Sequence, residues 1–86
     1  MFVVVVYDVQ SKTNPKILKL LRQYLFHVQN SVFEGSISEG ILETLKEQLS
    51  YYSCDQNQFV LYDMLSEKAF HKVVLGAKME STPFLS

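Results

Sequence analysis

The chain has 86 residues, 48% of them hydrophobic and 20% charged, with a formal net charge of −1. That composition describes one small globular domain and excludes a disordered chain. Near-neutral charge excludes a general pull on nucleic acid, so such a partner has to be met by a local basic patch.

The opening "FVVVVYDV" reads as a strand from Phe2 to Tyr7, since an unbroken β-branched run suits burial on both faces. It is too short to span a bilayer, and no basic segment precedes it as in a signal peptide. A cytoplasmic location with no membrane partner is therefore expected. A lone cysteine, Cys54, leaves the fold independent of a disulfide.

After the loop "SKTN", Asn14-Pro15 marks a helix start, with Asn14 as N-cap and Pro15 at the first helical position. Ile17, Leu20, Leu21 and Tyr24 recur at helical spacing, widened by Leu18 and Leu25. Lys12, Lys16, Lys19 and Gln23 project to the other side, provided Lys12 is drawn into the first turn. Two short strands, Phe26–Gln29 and Val32–Gly35, then flank a tight turn at Asn30-Ser31.

Ser36 and Glu39 have capping-box spacing, with Ser38 as a rival N-cap. The second helix is expected to turn Ile41, Leu42, Leu45 and Leu49 inward and to end near Tyr51–Ser53. "CDQNQ" is a polar loop. Phe59–Met64 is a further strand, and a short one follows at Val73–Leu75. Residues 77–86 read as a flexible tail, leaving a domain over 1–76.

The order β-α-β-β-α-β, with an additional C-terminal strand, is that of an α+β ferredoxin-like fold: one antiparallel sheet with both helices on one face. The valines of the first strand alternate between the two faces, yet two helices cover only one. A homodimer packing sheet against sheet is the expected cover, with Val73–Leu75 crossing to the partner.

Asp8 is the leading chemical group, a carboxylate at the strand end where side chains reach solvent. Mg²⁺ binds through one or two carboxylates with waters and substrate phosphates, and a two-fold axis near Asp8 would supply a second copy. Two like charges held close repel unless a cation lies between them. A metal there would polarise a phosphoryl oxygen and acidify its bound water against a phosphodiester.

The remaining groups are less pointed. His27 and His71 lack partners at metal-ligand spacing. Cys54 has no base near it in sequence. Tyr51, Tyr52 and Phe33 could stack on bases, but core packing suits aromatics better in so small a domain. Lys12, Lys16 and Lys19 could neutralise phosphates.

Two segments together carry a resemblance: "VVVVYDV" at 3–9 and "VQNSVFEG" at 28–35. They are similar to the first strand and the Val-Gln-aromatic-Ser-Val-Phe-Glu-Gly segment of the small CRISPR-associated endonuclease family, the second Cas protein. The likeness covers about residues 2–76. It implies a ferredoxin-like homodimer in which Asp8 holds Mg²⁺ for nuclease activity on RNA or DNA. Tyr7, Ser31 and Phe33 fall on positions of the active region, and His27 where many members carry an arginine. It also implies a role in spacer acquisition, bridging dimers of the CRISPR-associated integrase and holding double-stranded DNA, with single-stranded RNA as the alternative substrate.

The departures are Asn30 for the usual aromatic, Asp63 for a common proline, and "SKTNPK" for an arginine-rich stretch. Fewer arginines mean fewer bidentate phosphate contacts. A non-catalytic dimeric scaffold is therefore the competing reading, and a small-ligand regulatory domain on the same fold a third.

Overall fold

The computed structural model describes residues 1–66 and 69–76. The expected tail at 77–86 lies outside them. The elements are β1 (Phe2–Asp8), α1 (Asn14–Leu21), β2 (Phe26–Gln29), β3 (Val32–Ser36), α2 (Glu39–Tyr52), β4 (Gln58–Ser66) and β5 (Ala69–Leu75). The strands form a five-stranded sheet in the order β2-β3-β1-β4-β5, with every neighbouring pair antiparallel.

Alternation along β1 sorts its side chains. Val3, Val5 and Tyr7 are buried, while Phe2, Val4 and Val6 are half-buried. In register with the buried set stand Gly35 and Phe33 on β3, and Asp63, Leu61 and Phe59 on β4. Ile17, Leu20 and Leu21 of α1 and Leu42, Leu45 and Leu49 of α2 join the same apolar cluster. Both helices therefore cover one sheet face. Over the described residues, no helix lies on the other face, which carries Val4, Val6, Val32, Val60 and Tyr62. No helix among them is long and apolar enough to cross a membrane.

Local details revise four expectations. Thr13, and not Asn14, is the N-cap of α1, because the Thr13 carbonyl already accepts the Ile17 N–H at 3.2 Å. Lys12 consequently sits in the turn before the helix. Ser38 caps α2, its Oγ accepting the Ile41 N–H at 3.2 Å; Ser36 is occupied as the last residue of β3, opposite Phe2. Ile41 is 38% exposed instead of core, since it lies about 100° round the helix from Leu42.

The last strand is longer than its apolar run suggests. β5 begins at Ala69 and pairs with β4 of its own chain, Leu61 opposite Val73 and Phe59 opposite Leu75. That pairing replaces the expected crossing of Val73–Leu75 to a partner. β5 carries two consecutive polar groups, His71 and Lys72, as suits an edge strand.

Candidate active site

The sheet brings four chain segments to one end. Asp8 closes β1 and stands opposite Gln58, the first residue of β4. The two-residue turn Asn30-Ser31 joins β2 to β3 beside it, with Gln29 opposite Val32 and Asn30 at φ 40°. Asn tolerates this left-handed conformation better than most residues. The Tyr7 N–H donates to the Ser31 carbonyl at 3.0 Å, tying that turn to the strand end. The turn carrying Lys12 follows Asp8, and α2 ends nearby at Tyr52.

Asp8 itself is exposed, and its carboxylate makes no hydrogen bond or ion pair among the described residues. Tyr7 and Phe33 occupy different ground. Phe33 is fully buried and Tyr7 nearly so, their ring centroids 6.1 Å apart, with Phe59 6.5 Å from Tyr7 on its other side. Burial pushes the Tyr7 phenol up, partly offset by the Arg22 guanidinium. The resemblance makes Phe33 part of the active region; a ring with no exposure cannot touch a substrate, so its part is to hold β3 against β1.

His27 lies on exposed β2, its ring stacked on Phe33 at 4.5 Å and 7°. Its Nε2 is 2.6 Å from the Asn30 carbonyl, and since a carbonyl only accepts, Nε2 carries the proton. His27 thus braces the turn beside Asp8. His71 is elsewhere, its Nδ1 3.3 Å from the buried Asp63 carboxylate. Asp63 is five positions beyond Gln58 on β4, roughly 17 Å along the strand from the Asp8 end.

Asn57 was not singled out by the sequence, where it reads as loop. It is buried. Its Oδ1 accepts the Gln10 N–H at 2.9 Å, and its Nδ2 donates to the Tyr52 carbonyl at 3.1 Å. One side chain so fixes the segment after Asp8 to the end of α2. Only its place directly before an apolar strand hints at this.

Lys12, Lys16 and Lys19 are all exposed. Lys12 sits in the turn between β1 and α1, whereas Lys16 and Lys19 run along α1 and line a groove toward α2. The lysine row is therefore on the helix layer and does not surround Asp8.

No group of three or more His, Cys, Asp or Glu among the described residues could hold a metal ion. One Asp8 carboxylate, exposed and unpaired, still fits Mg²⁺, a hard cation that keeps waters and accepts phosphate oxygens as ligands. A second copy of Asp8 would complete the pair of carboxylates.

Residues 1–73 match the family of CRISPR-associated protein Cas2. The chain belongs to the Cas2 family. It is 42% identical over 86 residues to the CRISPR-associated endoribonuclease Cas2 of Thermotoga maritima, covering 99% of each chain. Its identity to the protein of that name from Fusobacterium nucleatum is 38% over 88 residues, covering 95% of this chain and 83% of the relative. With that of Nanoarchaeum equitans it is 41% over 78 residues, covering 88% and 85%. A solved Cas2 crystal structure superposes with a TM-score of 0.73 at 34% identity, covering 95% of this chain and 93% of that one. The Cas2 likeness thus spans both the strand ending in Asp8 and the turn at Asn30-Ser31.

Proposed function

We propose that this chain is a metal-dependent endoribonuclease of CRISPR adaptation, working as a ferredoxin-like homodimer packed sheet to sheet. The observation that carries the reading is Asp8, an exposed carboxylate without a partner among the described residues, at the sheet end where the Asn30-Ser31 turn is tied to β1 and the turn carrying Lys12 begins. The relatives' name, endoribonuclease, supports RNA as the substrate.

Asp8 from each copy would hold Mg²⁺, which supplies charge against the phosphoryl oxygens and lowers the pKa of water bound to it. The protein's own share is orientation. Tyr7 and Phe33 pack beneath the strand end, the Ser31 carbonyl anchors the Tyr7 amide, and Lys12 meets an adjacent phosphate. Asn57 fixes the segment following Asp8, so the carboxylate is held by backbone on both sides.

A second reading is favoured by one placement: Lys16 and Lys19 lie on the helix layer, in a groove whose lining does not include Asp8. A basic stripe there suits a duplex DNA platform that bridges dimers of the CRISPR-associated integrase during spacer acquisition. Asp8→Asn separates the readings. Single-stranded RNA incubated with Mg²⁺ should be cut by the parent and left intact by the variant, with the melting temperature unchanged. Equal cutting by both would overturn the role of Asp8, and spacer acquisition undiminished in the variant would favour the platform.

A further inference from the structure

Between α1 and α2 lies an open groove of about 320 Å³, outside the Asp8 site. Its walls carry Lys16, Lys19, Gln48 and Tyr51, over a floor of Leu20 and Tyr52. No carboxylate is among the lining residues. Tyr51 is 83% exposed, well beyond what core packing would leave. Its ring is nevertheless held, meeting Tyr52 edge-on with centroids 5.1 Å apart and planes at 89°. Tyr52 in turn packs on the core. Gln48 is also fixed, its Oε1 accepting the Tyr24 hydroxyl at 3.2 Å, which turns its amide N–H groups away from that contact.

A propped aromatic plate beside two cationic side chains matches a ligand with a flat apolar face and an anionic backbone. Aromatic side chains take unpaired bases by stacking, and lysines take the phosphates. A duplex keeps its bases stacked inside, so Tyr51 would offer it nothing. An acidic peptide would use the lysines and leave the ring idle. One lining residue is tied to the segment after Asp8: Asn57 bonds both Gln10 and the carbonyl of Tyr52, the residue next to Tyr51.

We propose that this groove binds one unpaired nucleotide of a single-stranded RNA, its base on Tyr51 and its phosphates at Lys16 and Lys19. The choice of RNA rests on the nuclease reading above; the stacking geometry does not.

The test is fluorescence anisotropy of a labelled single-stranded RNA without divalent cation, so that binding is read without cleavage. Tyr51→Ala should weaken binding roughly tenfold, the scale of one lost base stack, and Tyr51→Phe should bind like the parent. The double variant Lys16→Gln/Lys19→Gln should flatten the log–log salt dependence by roughly 1.4. The chain contains no tryptophan, so Tyr51→Trp installs a single reporter. Its emission should be quenched by the single strand and not by a duplex of the same sequence.

Unchanged binding by Tyr51→Ala, or equal quenching by duplex, overturns the site. Tighter binding of the matching DNA strand overturns the assignment to RNA. If Tyr51→Ala binds normally while Asp8→Asn abolishes cutting, the groove fails and the nuclease reading stands. If Tyr51→Ala loses binding and the parent never cuts, the groove stands and the nuclease reading fails.

Discussion

Gln10 donates its backbone N–H to Asn57 Oδ1 at 2.9 Å, across 47 positions of sequence. That bond ties the turn after Asp8 to the residue directly before β4. The same amide donates to the Tyr52 carbonyl at 3.1 Å, so removing it strands a donor and an acceptor together. Asn57→Ala should lower stability by about 2 kcal/mol, the scale of buried groups left without partners. Urea unfolding reads that loss. Amide exchange at Gln10 should speed up as well, and RNA cutting should fall through kcat more than KM.

Gly76 makes the matching demand on backbone. It has φ +107°, and a Cβ built there would lie 2.5 Å from the Asn57 carbonyl oxygen and 3.0 Å from Gln58 Cα. Neither neighbour can yield, since both are main chain at the start of β4. Gly76→Ala combines a left-handed conformation with this clash, at a cost of about 1–3 kcal/mol. A lowered melting temperature, with loosening at Asn57, is the expected outcome; an unchanged melt would show that the chain relaxes after β5.

How much of this was readable beforehand differs by residue. The elements up to β4 follow from local signals: valine alternation, Pro15, leucine spacing on α2. Asp8 was legible because a charge ending an apolar run is conspicuous. Asn57 was not, since its partners Gln10 and Tyr52 come together only in the folded sheet. Tyr51 is 83% exposed and Tyr52 packs on the core, because Tyr52 continues the Leu45 and Leu49 stripe at helical spacing while Tyr51 lies about 100° round from it. The apolar run understates β5 because its early residues, His71 and Lys72, mask the strand, and pairing with β4 overrides that composition. Asp63 and His71 meet by the same register, opposite one another across β4 and β5.

Buried phenols give stability a defined alkaline limit. Burial pushes Tyr7 above its ordinary value of 10.0, with Arg22 acting in the opposite sense, and burial raises Tyr62 as well. As pH climbs past 10.0, the unfolded chain releases these protons before the folded one does. Stability is therefore fully present below that pH and falls as pH rises through the higher folded values. Tyr7→Phe should make the alkaline limb shallower in denaturant titrations across pH 9 to about 12. Because the Tyr7 ring works by packing between Phe33 and Phe59, the same variant should keep most of its RNA cutting. Loss of cutting with stability retained would instead give the hydroxyl a direct part.

The sheet face without helices yields the last prediction. Val74 on β5 is opposite Val60, and Val6 is opposite both Val60 and Val32, forming an apolar strip across three neighbouring strands and into a fourth. Val74 is 39% exposed, which makes a charge there cheap in an isolated chain. In a sheet-to-sheet homodimer the same charge is buried without a partner, which costs about 3–5 kcal/mol. Val74→Glu should therefore weaken dimerisation by a hundredfold or more while leaving the chain folded. Ile41→Glu is the control, since Ile41 is 38% exposed on the helix layer and makes the identical change where no second copy should sit. Light scattering across a concentration series should show Val74→Glu monomeric and Ile41→Glu dimeric at micromolar protein. If cleavage needs Asp8 from both copies, cutting should follow the dimer fraction. A parent chain that is itself monomeric at that concentration would remove both the interface and the shared carboxylate pair.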